Sequence, residues 1–417
     1  MRVILVSFSF VKGGAAIAAN KFKLILQKTE AGVRVESICQ EKAGSFHFIK
    51  RVLAFCLVKL QWDGNPVKHS LNLFSYPPVL KSFKCNSDAV HHLHWINNDT
   101  LSVFDFEKIP AGSIITMHDE WLYCGAEHYY KVQQNSNEFQ KQYRYFNGDT
   151  KGIHWNYIVW KIKSEKLAHR GDLIYTIPSR WMFKRASAST MLNRADIRYL
   201  PNPIDTSAFK AASSSDIDSF KTDYSIQNNN IIIGFGAIGG KNNSLKGADL
   251  LDGALEILQE CVSKESASKI ILLDFGGETS DGFIHGFRNI SVGHIKQQSK
   301  LALIYSTCDF LVVPSRSESF GQVAAESLAC GTPVVSYNTS GLKDIVIHNE
   351  TGFLARPFEI ISLAKQMLAM INLSDNERKA MGCAGRAYVE THFSFAVVSD
   401  RYLEILNDAE KLRCTLV

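Results

Sequence analysis

DFLVVPSRSESFGQVAAESLACGTPVVSYNTSGLKDIV, residues 309–346, decides the fold. Residues 309–315 are an apolar run short enough for a buried strand, and residues 317–320 have loop composition. Residues 321–329 then set Val323, Ala324, Leu328 and Ala329 at the spacing of one helical face. A strand, a loop and a helix start, taken in that order, form an anion site. The first N–H groups of the helix lack intrahelical partners, the helix dipole favours negative charge, and Gly321 lets a phosphate approach the backbone. Glu318 and Glu326 flank that position. Eight steps at a helical rise span about 12 Å, roughly the reach between a sugar ring and a ribose joined by a diphosphate. A carboxylate that accepts from paired hydroxyls makes charge-assisted bonds of ~1.5 to 3 kcal/mol each. Two glutamates at an arbitrary spacing are more often a surface side chain and a helix cap, so the surrounding residues must decide.

Outward from this stretch the chain alternates apolar runs with helical or irregular segments. RVILVSFSF, VRVESIC, AVHHLHWI, SIITMHD and DLIYTIPS precede residue 180, and NIIIGFGAI, KIILLDFGG, NISVGHI, DFLVVPS and TPVVSYN follow residue 229. Such alternation predicts parallel sheets with helices on both faces. PNPIDTSAF (201–209), with two prolines and a polar sequel through SSSDIDS, reads as a domain boundary. The expected organisation is α/β, with two doubly wound lobes and a cleft between them. Residues 1–200 form the first domain, 206–395 the second, and 396–417 a terminal helix packing back on the first. Ligands of open α/β sheets bind beyond the carboxyl ends of the strands, so the loops there are where chemistry is sought. A chain of 417 residues with 46% hydrophobic content is long enough for two sizeable cores.

The stretch around Glu318 and Glu326 resembles the E-x7-E region of family 4 glycosyltransferases, retaining enzymes of the GT-B fold with two Rossmann-like domains. The resemblance extends over most of the chain. RVILVSFSFVKGGAAIAA is similar to the family's first strand, glycine-rich turn and first helix, and SIITMHDEWLYCGAEHYY to its His-Asp stretch. TIPSRWMFKRA, PNPID, FGA with LKGADLL, and the long block ending at HNETGFLA continue the likeness. The match resembles bacterial members that build O-antigens, colanic acid or other exopolysaccharides. It implies a hexosyltransferase-type enzyme that moves a sugar from a nucleotide diphosphate sugar to a glycan acceptor carried on a lipid such as undecaprenyl diphosphate.

Site residues follow from this resemblance position by position. His118 is the sugar-contacting side chain, with Asp119 supporting it and His128 a further candidate from the same loop. Lys246, before Gly247, is expected to stabilise the leaving diphosphate with the Gly321 helix terminus, Glu318 to hold sugar hydroxyls, and Glu326 to hold the ribose. Gly13 and Gly14 form the turn that lets phosphate or acceptor approach, and Phe320 adjoins the same donor site. FGGE (275–278) and VGHI (292–295) resemble the base-holding loops, which places Gly276 and Ile295 at the donor. Many relatives carry a Gly-Arg pair where this chain reads FGAIGGKNNS. Lys241 is the substitute there, without the planar fork that makes arginine a bidentate phosphate ligand. The likeness implies no general base, since the departing phosphate itself takes the acceptor proton.

Charge and composition bound the remaining possibilities. The formal net charge is +5, and residues 41–90 carry seven basic side chains against three acidic ones. That stretch contains HFIKRVLAFCLVKLQW, read either as a segment resting on an anionic membrane surface or as a core helix with a solvated basic edge. No nucleic acid partner is expected. Nine scattered cysteines lack CxxC pairs and fit reduced thiols in the cytoplasm. No apolar run reaches the eighteen residues of a membrane span. The short N-terminal apolar run ends in KGG and reads as a first strand rather than a signal peptide. Asp216-Ile217-Asp218 formally matches a DxD metal motif, but a solvated turn in a serine-rich linker fits better, and no essential metal is expected. YYKVQQNSNEFQKQYRYFNGD (129–149) is either an acceptor loop or a surface insertion. A nucleotide-sugar epimerase or hydrolase of the same architecture, and a non-catalytic partner in polysaccharide assembly, remain as alternatives. A dinucleotide dehydrogenase does not fit, because GGAAIAA lacks the GxGxxG spacing.

Overall fold

A computed structural model describes residues 1–28, 32–130, 138–145, 150–236 and 243–415. The chain divides into two compact units, Met1–Asn202 with Val398–Val417, and Pro203–Val397.

The first unit is built on a six-stranded sheet. Its strands are β1 (Arg2–Ser7), β2 (Arg34–Cys39), β3 (Val90–His94), β4 (Ile114–Thr116), β5 (Ile174–Ile177) and β6 (Asp196–Tyr199). They lie in the order β2-β1-β3-β4-β5-β6 with every pairing parallel. One face buries Ile4, Val6, Leu93, Ile115, Tyr175 and Ile177 in a continuous core. At the alternate positions His92, His94, Thr116 and Thr176 are buried polar residues beside the apolar Val3, Leu5, Ile114 and Ile174. Helix α1 (Gly14–Lys28) brings Phe22 against His92 and His94, and the C-terminal helix (Phe395–Thr415) brings Tyr402. That helix also pairs Asp408 with Arg198 and passes so close to Gly112 that a β-carbon there would lie 2.2 Å from the Ala409 carbonyl oxygen. Helix α2 (Ser45–Val58) covers the sequence's basic aromatic segment and buries only His47 and Ala54.

The second unit carries a seven-stranded sheet. Its strands are β7 (Ile231–Gly236), β8 (Ile270–Phe275), β9 (Thr279–Ile284), β10 (Phe287–Val292), β11 (Phe310–Val313), β12 (Val334–Tyr337) and β13 (Gly352–Ala355). The order is β9-β10-β8-β7-β11-β12-β13, parallel except for the edge pair β9 and β10. The period of two is legible in the cores. Ile232, Ile271, Leu311 and Val334 face one helical layer, and Ile233, Leu272, Val312 and Val335 the other. Burial on both faces is why these strands read as unbroken apolar runs.

One local expectation changes, and two stretches go beyond what the sequence indicated. The β9 strand was not legible, because TSDGFI is polar and half-exposed, as an antiparallel edge allows. Asp216 and Asp218 sit in an exposed helix, Ser214–Asp223, rather than a turn, since Ser213 caps it by accepting from the Asp216 N–H. Within 129–149, residues 131–137 and 146–149 lie outside the described residues. Within the remainder Phe139 and Tyr143 lie in the core, with the Tyr143 hydroxyl donating to Glu127, and Lys141, Gln142, Arg144 and Tyr145 are exposed.

Candidate functional site

In the second unit the strand order reverses direction between β7 and β11, and in doubly wound sheets the crevice at that point receives the ligand. Both adjoining loops converge there. After β7 the chain reaches a single helical turn, Ser244–Lys246, and then Gly247, which starts α3 (Ala248–Cys261) in a left-handed conformation with φ 67°. A β-carbon on Gly247 would stand 2.1 Å from the Pro314 carbonyl oxygen, so only glycine lets this turn rest on the end of β11. The contact delivers Lys246, whose Nζ donates to Glu318 Oε1 at 2.5 Å. The same oxygen accepts from Ser315 Oγ at 2.8 Å. Both side chains of the pair keep partial solvent access.

The loop holding Glu318 is fixed from several directions. Its own N–H donates to Ser340 Oγ (2.9 Å), and the Gly341 N–H donates back to the Glu318 carbonyl (2.8 Å). Gly341 packs so closely that a β-carbon would meet the carbonyl oxygens of Glu318, Ser319 and Phe320 within 2.9 Å. Arg316 forks onto Asp249 at 2.5 and 2.7 Å and donates to the Ser244 carbonyl, clamping this loop to the Lys246 turn. Gly321, at φ 106°, starts α4 (Gln322–Ala329). Phe320 is buried against Phe393, so what it can offer a ligand is its backbone.

Glu326 lies inside α4, nearly buried. Its Oε1 accepts from Gln322 Nε2 at 2.6 Å, and its Oε2 from the Tyr305 hydroxyl at 3.4 Å. Burial, and then the neighbouring carboxylate, push the Tyr305 phenol well above its usual range, so it stays a proton donor. At the ends of β8 and β10, Gly276 (φ 106°) donates to the Gly293 carbonyl at 2.9 Å, joining the two predicted base-holding loops. Ile295 is partly buried against the core beside them. Lys241 lies outside the described residues. The sequence did not single out Ser315, Arg316, Ser340 or Gly341. Their signal was only the small and polar composition between two strands.

In the first unit His118 follows β4, half-buried, and shares a hydrogen bond of 3.0 Å between its Nε2 and His94 Nδ1. Desolvation pulls its imidazole down to about 4, which keeps it neutral at ordinary pH. Asp119 acts on His118 through its charge, while its hydrogen bonds in the structure go to other residues. Its Oδ2 accepts from His128 (2.6 Å) and from the Trp95 indole (2.8 Å), and its Oδ1 from the Trp121 N–H (3.1 Å). Burial opposes its charge, yet His128 and these donors hold the carboxyl below its usual range. His128 is in turn bonded to Ser70 and buried, a structural histidine rather than an open ligand. The glycine turn after β1 has Gly13 at φ 92° and open space around both Gly13 and Gly14. Lys12 beside it is neutralised by Glu41 at 2.7 Å. Among the described residues no group of three or more His, Cys, Asp or Glu side chains is arranged to hold a metal, and the nine cysteines are unpaired.

Residues 287–388, from β10 to the last long helix of the second unit, match the family described as glycosyl transferases group 1. This stretch is similar to group 1 glycosyltransferases. It contains Glu318, Gly321 and Glu326, whereas Lys246 and Gly276 precede it. A D-inositol 3-phosphate glycosyltransferase of Xylanimonas cellulosilytica is 31% identical over 185 residues, 42% of each chain. The capsular polysaccharide biosynthesis glycosyltransferase CapM of Staphylococcus aureus is 30% identical over 120 residues, 29% of this chain and 31% of that protein. The matched stretches thus span less than half the length of these curated relatives. HepE of Anabaena, solved with UDP-glucose, superposes with a TM-score of 0.62 over 98% of this chain and 100% of that one, at 17% identity. The fold is GT-B, and the stretch that matches the group 1 family lies within its second Rossmann-like unit.

Proposed function

We propose that the protein is a retaining glycosyltransferase of family 4 that transfers a sugar from a nucleotide diphosphate sugar to a hydroxyl of a lipid-linked glycan. The reading places it in bacterial surface polysaccharide synthesis, on the cytoplasmic side of the plasma membrane. The observation that carries it is the Lys246–Glu318 contact at the β7/β11 switch point, next to the glycine start of a helix. One cation and the helix N–H groups suit the departing diphosphate, and the carboxylate suits the hydroxyls of the sugar attached to it. Glu326, one helical turn further, takes the ribose, and Gly276 and Ile295 flank the base. His118, held neutral, accepts from or donates to a sugar hydroxyl without adding charge. The leaving phosphate takes the acceptor proton, so the reading needs neither a separate general base nor a metal. The group 1 match and the CapM relative support the reaction class and the polysaccharide context.

The test is thermal unfolding of the purified protein with UDP-, GDP-, ADP- and dTDP-sugars, followed by turnover with acceptor. One donor class should raise the melting temperature, and chelator should leave this unchanged. A flat panel counts against every enzymatic reading. Lys246→Ala and Glu326→Ala that both bind and turn over donor like the parent sink the site assignment. Donor consumed equally without acceptor points to a hydrolase or epimerase instead.

A further inference from the structure

Helix α2 inverts the usual arrangement of a surface helix. It buries a narrow stripe through His47 and Ala54 and turns outward Phe46, Phe48, Ile49, Val52, Leu53 and Phe55, with Leu60 and Trp62 just beyond. Eight of the thirteen large apolar side chains exposed among the described residues fall within these seventeen positions, so they form one patch rather than the scatter normal for a protein surface. The helix itself is firmly placed. The Trp155 indole donates to the Leu57 carbonyl (2.8 Å), and His47 Nε2 meets the Asp99 carbonyl (3.0 Å). Exposure of the patch is therefore a property of a docked element.

Charge says what covers it. From Ser45 to Trp62 the chain has no acidic residue, and it carries Lys50, Arg51 and Lys59. Lys50 lies over the Phe46 ring (4.7 Å) and Lys59 over Phe55 (4.9 Å), so the cationic heads rim the apolar face. A hollow of about 240 Å³ opens along the helix, and its lining includes Phe48, Val52 and Phe55 together with Arg51, Lys68 and Asp99. Among the described residues Arg51 Nε is buried with no hydrogen-bond partner, its guanidinium over the Phe8 ring (4.7 Å), and Lys68 Nζ donates to the neutral Asn98 amide (2.8 Å) while sitting over Trp95. Asp99 and Glu41 act on Arg51 at longer range. Among the described residues, none of Lys50, Arg51, Lys59 or Lys68 forms an ion pair. No helix of the described chain is long and apolar enough to cross a membrane, and a fourteen-residue helix with apolar face and basic rim is suited to lie in the interface plane.

We infer that the outward face of Ser45–Trp62 docks on an anionic lipid bilayer, its aromatic and aliphatic side chains entering the headgroup boundary while Arg51 and Lys68 receive a lipid phosphate in the adjoining hollow. This rests on the proposed lipid-linked acceptor and adds where the chain meets the membrane. Anionic charge on the lipid matters because, among the described residues, neither cation is hydrogen-bonded to a protein carboxylate, although Asp99 and Asp119 act on them at longer range.

The full chain is sedimented with vesicles of phosphatidylcholine alone and of phosphatidylcholine with one quarter phosphatidylglycerol. The protein should pellet with the anionic vesicles, remain largely free with the neutral ones, and lose the preference in 1 M salt, where the screening length shrinks to about 3 Å. Phe46→Ser/Ile49→Ser/Leu53→Ser should weaken vesicle binding at least about tenfold, with an unchanged melting temperature and unchanged stabilisation by nucleotide sugar. Arg51→Gln/Lys68→Gln should narrow the preference for phosphatidylglycerol. Parent protein that stays in solution with anionic vesicles overturns the inference, as does binding indifferent to the triple substitution. A dimer in light scattering that the triple substitution dissolves reassigns the face to a second copy. Failure of the donor panel with intact vesicle binding removes the proposed reaction and leaves the docking surface standing.

Discussion

Gly247→Ala is expected to damage the donor unit in two ways at once. Its backbone is left-handed (φ 67°, ψ 32°), a conformation that costs an alanine ~1 to 2 kcal/mol. The new β-carbon would also lie 2.1 Å from the Pro314 carbonyl oxygen, where real contacts stay beyond 3.0 Å, and both partners are backbone rather than a side chain that can swing away. Relieving such overpacking costs a further ~1 to 3 kcal/mol. A total of at least ~2 kcal/mol, at roughly 2 to 4 °C per kcal/mol for a domain of this size, lowers the melting temperature by at least about 4 °C. The turn must lift off β11 to make room, and Lys246 moves with it, away from Glu318. Differential scanning fluorimetry with and without nucleotide sugar reads both effects, with Gly282→Ala as the control, since nothing lies within 4 Å of a β-carbon there. A Gly247→Ala protein that melts within about 1 °C of the parent, or that keeps its full stabilisation by donor, would refute the coupling between this close approach and the placement of Lys246.

Other expectations concern single side chains of each unit. Lys246→Met should cost little stability, because a half-exposed pair is worth ~1 kcal/mol or less, yet it should weaken donor binding by roughly 10- to 150-fold, the equivalent of one charge-assisted bond of ~1.5 to 3 kcal/mol; calorimetric titration with the stabilising nucleotide sugar checks both. Burial holds His91 at about 4 and His92 at about 3, against 6.5 for a free imidazole. The unfolded chain therefore binds more protons below pH 6.5, so stability of the first unit should be full above that pH and fall by roughly 3 to 5 kcal/mol per histidine as pH drops toward 3 to 4. The groups facing them are Ser82, Arg2 and Asp88 for His91, and Tyr402, Thr116, His94 and His118 for His92. Urea midpoints followed from pH 7.5 to 4.5 should decline steeply, and a level profile contradicts the assignment. Asp119→Asn leaves His128 and the Trp95 indole without their charged acceptor and should destabilise by ~1.5 to 3 kcal/mol, read by chemical denaturation; if only donor binding changes, Asp119 supports His118 after all.

The sequence by itself determined the two α/β units and the strand-loop-helix that carries Glu318, Gly321 and Glu326. The physical reason is that strands buried on both faces must be apolar throughout, and helix starts need glycine or a cap, so local composition records them. It could not show the β9 edge, where half-exposure removes the apolar signal. Nor could it show the clamp between Arg316 and Asp249, residues 67 positions apart that meet only because β7 and β11 are neighbours. Lys246 and Glu318 were each legible as motif residues, but their 2.5 Å contact depends on one glycine resting against one carbonyl. Asp119 adjoins His118 in the chain, and adjacency suggested a partnership. The tertiary structure gave Asp119 to His128 and Trp95 and gave His118 to His94, because after a strand the chain turns and successive side chains face different neighbours. For the segment 47–62 the sequence held two readings in balance, a membrane-facing helix or a core helix with a solvated edge. The packing, which uses His47 and Ala54 and leaves the aromatic face outward, sets aside the core helix, a fact of burial that composition cannot carry.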